Sequence, residues 1–486
     1  MSDIRNLEPK SVWGHFADLN AVPRPSKKEE KVIAFMMDFG KSLGLETEKD
    51  EVGNVLIRKP ASAGMEDRRT VVMQSHLDMV CQQNAGTNHD FETEGIEMYV
   101  DEDWVKARGT TLGADNGMGV ASIMAILSST DIPHPPIEAI FTIDEETGMT
   151  GAQELRQNWL KGDLLLNLDT EDDDELTIGC AGGIDITGRA SYQSESPIKG
   201  MVGRKISVRG LSGGHSGMDI NKGLGNANKI MNRILLHLNE LADVRVSSID
   251  GGSLRNAIPR ESFAEVAIIA TEEEVIANAL KSVSDEIVAE YATTDPNLSI
   301  TMEVAGTPSS MMTIEAQIGL TNAIYAIHSG IHRMSPDIAD LVQTSNNLAR
   351  VRVGDGEIEI LCLTRSAVDS EKMDMAYGIR AAMQLCGAEV EMTGSYPGWT
   401  PDPTSPILET MRNLYTEMFD EKPNVLACHA GLECGLLGDR YPGMEMISFG
   451  PNIRGAHSPD EKVQISSVQK YWGFLLETLK RTPQAN

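Results

Sequence analysis

Apolar runs of strand length alternate with segments of helical periodicity over the first 170 residues. The runs NVLIRKP, RTVVMQSHLD, IEAIFTID and DLLLNLD are predicted strands, and the segments at residues 118–127 and 152–158 are predicted helices. Strands that alternate with helices in this way are typical of an α/β sheet with helices on both faces. This part of the chain is therefore predicted to be an α/β domain built on a mixed sheet.

The pattern changes near residues 180–183. The strand KISVRG, a helix at 223–241, the strands VRVSSIDGG and SFAEVAIIA, a helix at 272–291 and the strand LSITMEVAG follow in order. A helix at 314–328, the strands NNLARVRVGD and EIEILCLTRS, a helix at 370–385 and the strand AEVEMTGSYP repeat much of that order. The periodicity predicts an α+β sandwich followed by a partial copy, that is, an internal duplication.

The α/β pattern returns towards the C-terminus, with helices predicted at 406–419 and 466–479 and the strands NVLACHAG and MEMISFGP between them. A chain of 486 residues, 41% of them hydrophobic, is long for a single core. We predict a discontinuous catalytic domain, residues 1–182 and 397–486, interrupted by an inserted α+β lid domain, residues 183–396.

The charge balance excludes one class of partner. The formal net charge is -30, so a nucleic-acid backbone would be repelled rather than neutralised.

No stretch approaches the roughly 20 apolar residues of a membrane span, and the N-terminal segment lacks the apolar core of a signal peptide. We predict a cytoplasmic protein that binds neither nucleic acid nor membrane.

Five potential metal ligands lie at or beyond the ends of apolar, strand-like runs: His76, Asp115, Glu146, Asp169 and His457. Two imidazoles and three carboxylates can hold two divalent ions that share one bridging carboxylate, which indicates two-metal hydrolysis. The charges support this set, because two divalent ions bring +4 while three carboxylates and a bridging hydroxide bring -4. The five motifs together are far more specific than any one of them.

Three further side chains are candidates for chemistry near those ligands. Asp78 lies two residues after His76, so an extended chain lets it accept a hydrogen bond from the second ring nitrogen of that histidine. Glu145 and Glu146 can reach one site only if the chain turns there, which the nearby glycines permit. His215, in the glycine-rich segment GLSGGHSGMD of the predicted lid, can reach a substrate without binding metal.

The motifs SHLDMV, GADNGMG, IDEETGMTGA, NLDTED and GAHSPDE, in this order, resemble those of the di-zinc peptidases and amidohydrolases that include carnosinases, peptidase T and carboxypeptidase G. The resemblance runs through nearly the whole chain. It implies that His76 and Asp169 bind one metal ion, that Glu146 and His457 bind the other, and that Asp115 bridges them.

The same resemblance implies roles for the remaining candidates. Glu145 would be the general base and Asp78 the partner of His76. His215 would stabilise the oxyanion, from the same chain or from a second subunit. Asn256 in GGSLRNAIP and Arg365 in LTRSAVD would bind substrate.

The resemblance also implies a cis peptide bond between Asp115 and Asn116. It further implies two metal ions, Zn²⁺ by preference, with Co²⁺ or Mn²⁺ as substitutes.

The expected activity is metal-dependent hydrolysis of small dipeptides, preferentially Xaa-His dipeptides such as carnosine, by a metal-bridging hydroxide with a glutamate general base. An N-acyl amino acid deacylase and a non-catalytic metal-binding or interaction protein on the same fold are the alternatives. A homodimer is compatible with the sequence.

Overall fold

The computed structural model describes residues 4–485. They form two compact units, the first made of residues 4–179, 401–427 and 433–485 and the second of residues 180–400 and 428–432. Residues 428–432 therefore group with the second unit, although the sequence pattern places them in the catalytic domain. Within residues 4–485, no helix has the length and apolar character needed to cross a membrane.

The helices are, in chain order, α1 (Lys10–Asn20), α2 (Glu30–Ser42), α3 (Ala114–Ser128), α4 (Glu145–Gly148), α5 (Thr150–Gln153), α6 (Ala227–Asn239), α7 (Glu273–Glu290), α8 (Ile314–Ala326), α9 (Asp369–Gln384), α10 (Pro406–Phe419), α11 (Glu433–Arg440) and α12 (Ile465–Lys480). Short 3-10 helices occupy Ile4–Asn6, Ile220–Lys222 and Ala270–Glu272.

The strands are β1 (Glu46–Lys49), β2 (Val55–Lys59), β3 (Val71–His76), β4 (Met98–Asp101), β5 (Trp104–Ala107), β6 (Ile137–Thr142), β7 (Leu164–Asn167), β8 (Glu175–Cys180), β9 (Gly182–Ser191), β10 (Ser194–Glu195), β11 (Met201–Arg209), β12 (Gly214–His215), β13 (Val244–Gly252), β14 (Ala257–Ile258), β15 (Ser262–Ile269), β16 (Ser299–Ala305), β17 (Met311–Met312), β18 (Gly330–Met334), β19 (Val342–Gly354), β20 (Glu357–Ser366), β21 (Glu389–Tyr396), β22 (Asn424–Cys428), β23 (Glu445–Ser448), β24 (Ile453–Arg454) and β25 (Lys462–Gln464).

The first unit is built on an eight-stranded mixed sheet in the order β1-β2-β6-β3-β7-β23-β8-β22. The neighbours β6, β3, β7 and β23 are parallel, whereas β2 joins β6 and β8 joins β23 in antiparallel fashion. Strands β3, β6 and β7 are buried along their whole length, which explains their continuous apolar sequences. The predicted α/β class with a mixed sheet is confirmed.

The parallel strands position the candidate site. Strand β3 ends at His76, β6 ends three residues before Glu145, and β7 ends two residues before Asp169. Because the carboxyl ends of parallel strands meet at one edge of a sheet, these three side chains are brought to the same place. A separate four-stranded sheet, in the order β24-β25-β5-β4, carries the loop with His457 between β24 and β25.

The second unit contains a nine-stranded antiparallel sheet in the order β16-β11-β15-β13-β19-β20-β9-β21, with β18 paired to β19. The apolar faces of α6, α7, α8 and α9 share one core with the inward side chains of this sheet. From one edge inwards the order is β16-β11-β15-β13, and from the other it is β21-β9-β20-β19. These two sets are the two halves of the sheet. In each half the edge strand follows that half's second helix, and the strand beside it is the first strand of that half. The prediction of a partial second copy is wrong, because the second half has all four strands. Its first strand, β9, comes before the first half in the chain.

The helix predicted at residues 152–158 is wrong in extent. Helix α5 ends at Gln153, and the following residues are irregular. The side chain of Arg440 donates to the main-chain oxygens of Gln153 at 2.5 Å and Leu155 at 2.7 Å. These carbonyls are therefore satisfied by a distant arginine instead of by a further helical turn.

Candidate metal centre

The five predicted ligands converge in the first unit as two triads that share Asp115. His76, Asp115 and Asp169 form one triad, and Asp115, Glu146 and His457 form the other; within each, the ligand atoms all lie within 4.8 Å of one another. Oδ1 of Asp115 lies 3.2 Å from Nε2 of His76, and its Oδ2 lies 3.2 Å from Nε2 of His457. The two oxygens of one carboxylate thus point to two different imidazoles, which is the arrangement a bridging ligand requires.

The outer members of the triads complete the geometry. Asp169 Oδ1 lies 3.5 Å from Nε2 of His76, and Glu146 Oε2 lies 3.0 Å from Nε2 of His457. His76 is fully buried at the end of β3, whereas the side chain of His457 is 56% exposed. The peptide bond between Asp115 and Asn116 is cis, as the resemblance implied.

Asp78 lies beside His76 and also supports the turn that follows β6. Nδ1 of His76 lies 3.1 Å from the main-chain oxygen of Asp78 and 3.4 Å from its Oδ1, so the nearer acceptor is the peptide carbonyl. The carboxylate instead accepts the main-chain N–H groups of Glu145 at 3.0 Å and Glu146 at 3.2 Å, and the hydroxyl of Ser26 at 2.7 Å. Asp78 therefore fixes the turn that carries both glutamates.

The turn at Glu145 and Glu146 exists, and a Cβ atom at Gly151 would lie 2.6 Å from the main-chain nitrogen and oxygen of Ile143, so glycine is needed there. Asp144, with φ at 52°, and Met149, with φ at 51°, adopt the left-handed conformation on either side of α4. Thr147 and Thr150 donate hydrogen bonds to the carboxylate of Asp144, which holds that residue in place. The prediction that glycines permit the turn therefore holds at Gly151, while the hydrogen bonds of two threonines hold the left-handed Asp144.

The electrostatics show a cluster that is short of positive charge. Hydrogen bonds to Asp115 and Glu146 raise the pKa of His457 to about 11. Burial and the neighbouring carboxylates raise the pKa of Asp169 to about 7, although His76 opposes the change. Burial raises the pKa of Glu145 well above its ordinary value, and Asp169 adds to the effect. Imidazole nitrogens and carboxylate oxygens in this arrangement fit two divalent cations.

A buried polar layer that sequence reasoning missed lies next to the ligand strands. The Oε2 atom of Glu433 accepts hydrogen bonds from Nε2 of Gln74 and Oγ1 of Thr142, both at 2.6 Å. Gln74 accepts from Asn167, and Ser448 donates to Asn167 at 2.5 Å. Gln74 and Asn167 each precede a metal-ligand candidate by two residues. Oε1 of Glu433 is buried without a hydrogen-bond partner among residues 4–485.

The second unit holds the other predicted residues, beginning with His215. His215 pairs with Ala257 in the short β12–β14 ladder. Its Nδ1 accepts the main-chain N–H groups of Gly217 at 3.2 Å and Met218 at 3.1 Å. The ring proton of neutral His215 is therefore on Nε2. Burial and the charge of Arg365 lower its pKa, which favours this neutral form.

Arg365 is 5% exposed at the end of β20. It donates to the hydroxyls of Tyr396 at 3.1 Å and Ser216 at 3.5 Å, and the part of the chain that the structure describes offers no carboxylate within ion-pair distance. Arg365 is therefore not part of a surface salt bridge among the described residues. Asn256 has an exposed side chain, and its main-chain oxygen accepts the N–H of Ser216 at 2.8 Å.

A second histidine of this unit was also missed. His429 is buried, and its Nε2 lies 2.7 Å from the hydroxyl of Ser345. Burial, together with the charges of Arg365 and His215, lowers the pKa of His429 to about 3. Its sequence context, CHAGLECG, has no glycine directly beside the histidine, so the signal that drew attention to His215 does not extend to it.

Comparison with known proteins decides the family. The model of peptidase family M20/M25/M40 matches residues 72–481, which include all five candidate ligands. The chain belongs to peptidase family M20/M25/M40. It is therefore an enzyme of the peptidase class, and the resemblance drawn from the motifs is confirmed at the level of the family.

Relatives within the M20/M25/M40 family match over their full length. The chain is 43% identical over 483 residues to the cytosol non-specific dipeptidase of Escherichia coli (strain K12), covering 99% of this chain and 100% of the relative. The aminoacylhistidine dipeptidase from Vibrio alginolyticus matches with a TM-score of 0.94 at 41% identity, covering 100% of both chains. The aminopeptidase PepT from Bacillus cereus, at 15% identity, a TM-score of 0.57 and 98% of both chains, shares the fold.

Proposed function

We propose that this protein is a two-metal dipeptidase that acts preferentially on Xaa-His dipeptides such as carnosine, that is, an aminoacyl-histidine dipeptidase. The observation that carries the proposal is the pair of ligand triads sharing Asp115, with the buried Glu145 beside Glu146. The dipeptidase names of the full-length relatives support it. The two names differ on specificity, so the Xaa-His preference is the part that most needs a test.

The ligand set suits two divalent ions, one held by His76 and Asp169, the other by Glu146 and His457, and both by Asp115. Zn²⁺ is the first choice, because imidazole nitrogen and carboxylate oxygen are among its usual ligands, and Co²⁺ or Mn²⁺ would substitute. When bound, such ions polarise a scissile carbonyl and lower the pKa of a coordinated water to about 7.

Glu145 is assigned the proton transfers. The carboxylate of Glu145 also groups with His76 and Glu146 as a possible metal ligand. Following the family resemblance, we assign it instead to accept a proton from the attacking water and to deliver it to the nitrogen of the leaving amine. Burial and the neighbouring Asp169 raise its pKa, which improves its ability to take up that proton. The hydrogen bond from the main-chain N–H of Glu145 to the carboxylate of Asp78 holds Glu145 at this position.

The second unit is assigned the contacts with the rest of the substrate. Neutral His215, with its proton on Nε2, would donate a hydrogen bond to the tetrahedral oxygen, a contribution of about 3 kcal/mol in comparable oxyanion sites. Arg365, buried without an ion-pair partner among the described residues, would pair with the C-terminal carboxylate of a dipeptide. Asn256 would contact the substrate from the adjoining turn.

These assignments make residues 183–396 the lid of a catalytic domain formed by residues 1–182 and 397–486. They require that His215 and Arg365 reach a substrate bound at the metal centre, either in the same chain or across a homodimer. The E. coli relative is named for the cytosol, and we assign this protein to the cytoplasm as well.

A substrate panel tests the proposal. The purified protein, loaded separately with Zn²⁺, Co²⁺ and Mn²⁺, is assayed against carnosine, other Xaa-His dipeptides, dipeptides without histidine, and N-acetyl-histidine. We expect hydrolysis of free dipeptides, with the highest kcat/KM for Xaa-His. Faster cleavage of N-acetyl-histidine would assign a deacylase instead. Two bound ions without hydrolysis of any substrate in the panel would contradict the proposed dipeptidase activity.

A further inference from the structure

One carboxylate accepts the main-chain N–H groups of four consecutive residues around the shared ligand. Oε2 of Glu461 accepts from Leu112 at 2.7 Å and Gly113 at 2.8 Å, and Oε1 accepts from Ala114 at 2.7 Å and Asp115 at 3.2 Å. Glu461 is 3% exposed. Buried hydrogen bonds to a charged acceptor are among the stronger ones in proteins, so the backbone of this turn has little freedom to move.

A buried arginine holds the same turn by its carbonyl groups. Nη2 of Arg24 donates to the main-chain oxygen of Gly113 at 2.5 Å, and Nη1 donates to those of Leu77 and Asp78, both at 3.1 Å. The guanidinium therefore ties the Asp115 turn to the segment that follows His76. Its positive charge also offsets the burial of Glu461, whose negative charge in turn acts on Arg24.

The turn leaves no space for a side chain at Gly113. Its φ is +72°, a value that favours glycine, and a Cβ atom there would lie 2.4 Å from Nη2 of Arg24. The position of this turn is thus set from both sides, by Glu461 through the N–H groups and by Arg24 through the carbonyl.

Glu461 also anchors the loop that carries His457. The two residues are four positions apart in one loop. Main-chain hydrogen bonds close this loop: the N–H of Ser458 donates to the oxygen of Gly455 at 3.2 Å, and the N–H of Glu461 donates to the oxygen of Ser458 at 3.0 Å. His457 itself is more than half exposed and has a φ of 64°. The buried carboxylate of Glu461 therefore links this loop to the Asp115 turn by direct hydrogen bonds.

We propose that Glu461 and Arg24 are positioning residues that set where the two oxygens of Asp115 lie relative to His76 and His457. The inference rests on the proposed two-metal function. His76 is held by β3, and Asp169 follows β7, so that side of the site has support of its own. Loss of Glu461 should therefore weaken the ion assigned to Glu146 and His457 more than the ion assigned to His76 and Asp169.

The test is a competition titration of the metal-free full-length chain with Zn²⁺ and a chromophoric chelator. Glu461→Gln keeps the size of the side chain but places an NH₂ group against two main-chain donors. We expect it to raise one of the two Zn²⁺ dissociation constants about 10- to 100-fold, as loss of a residue that orients metal ligands typically does, and to change the other less. Arg24→Gln, which removes the guanidinium, should change the same constant in the same direction.

Asp50 supplies the matched control. It is 3% exposed, and its Oδ1 accepts the main-chain N–H groups of Val52 at 3.2 Å, Gly53 at 2.9 Å and Asn54 at 2.8 Å, yet it makes no hydrogen bond to the five candidate ligands. Asp50→Asn should lower the melting temperature and leave both Zn²⁺ constants at the parent values.

The outcomes separate the inference from the function on which it rests. A parent protein that does not bind two ions would remove the two-metal function itself. With two ions in the parent, unchanged affinities in Glu461→Gln, or equal weakening in Asp50→Asn, would overturn the positioning role. Should Glu461→Gln fail to fold, the shorter Glu461→Asp replaces it, and parent-like affinities there would overturn the role in the same way.

Discussion

The two units of this chain place histidines in opposite electrostatic surroundings. In the first unit, hydrogen bonds to Asp115 and Glu146 raise the pKa of His457 to about 11. In the second, burial and the nearby Arg365 lower the pKa of His429 to about 3. The first cluster holds more carboxylates than cations, whereas Arg365 in the second has no ion-pair partner among residues 4–485. One therefore suits cations and the other suits an anion or a developing oxyanion.

This contrast matches what a free dipeptide presents. Its scissile carbonyl is activated by cations, whereas its terminal carboxylate requires a cationic partner that an acidic metal shell cannot provide. Arg365 is such a cation, since it is buried and has no ion-pair partner among residues 4–485. The division of charge between the units is thus a physical reason to assign metal binding to one and substrate recognition to the other.

The largest expected effect comes from Glu145, which separates proton transfer from metal binding within the acidic unit. Glu145→Gln should lower kcat by about 10² to 10⁴, because general acid–base catalysis contributes that much. Metal analysis should still give two ions per chain. The neighbouring Glu146→Gln is the matched control and should lose one ion. Loss of an ion in Glu145→Gln would reassign that residue as a ligand.

The second-largest expected effect tests whether Arg365 in the second unit binds the carboxylate of the substrate. Arg365→Lys keeps the charge but removes the planar fork that pairs with a carboxylate. We expect kcat/KM for free dipeptides to fall about 30-fold, equivalent to about 2 kcal/mol for a charge-assisted bond. A C-terminally amidated dipeptide should be barely affected.

The control for Arg365 is Arg255→Lys, because Arg255 is already paired with Asp185 at 3.2 Å in the same unit. Its kinetics should remain close to the parent. Equal loss on free and amidated substrates in Arg365→Lys would mean that Arg365 does not bind the carboxylate.

The smallest effect concerns stability and the buried Glu433. Burial raises its pKa from 4.5 to about 8, with Asp169 and Asp78 adding to the change and His76 opposing it. Between those values the unfolded chain releases the proton and the folded chain keeps it, so the free energy of unfolding falls as pH rises and levels off above about 8. Glu433→Gln removes this contribution.

The contribution of Glu433 to the free energy of unfolding is measured by urea unfolding of the metal-free parent and variant at about pH 5 and about pH 8. We expect the parent to lose about 1–3 kcal/mol more than Glu433→Gln over this interval. Equal losses would show that Glu433 does not retain its proton in the folded state.

Much of the metal centre was predictable because its residues follow local rules. His76 and Asp169 follow continuous apolar runs, and such runs become buried parallel strands whose carboxyl ends meet. The mixed α/β class follows from the same alternation of elements. The catalytic assignment of Glu145 came from the family resemblance and stays a prediction until its variants are measured.

The supporting residues could not be predicted because their partners are remote in sequence. Glu433 meets Gln74 and Thr142 across more than 290 positions, and Glu461 meets residues 112–115 across about 350. Neither glutamate follows an apolar strand, and each is locally indistinguishable from an exposed acidic residue. Similarly, the left-handed Asp144 is held by threonine side chains, which a search for glycines does not detect.

The central claim is that Asp115 is shared by two metal ions, and metal analysis of three proteins tests it most directly. After equilibration with Zn²⁺ and removal of free metal, the parent should retain two ions per chain and His457→Ala should retain one. Asp115→Ala should retain fewer than one, because its loss removes a ligand from both triads. An Asp115→Ala protein that holds one ion as tightly as the parent would contradict the account.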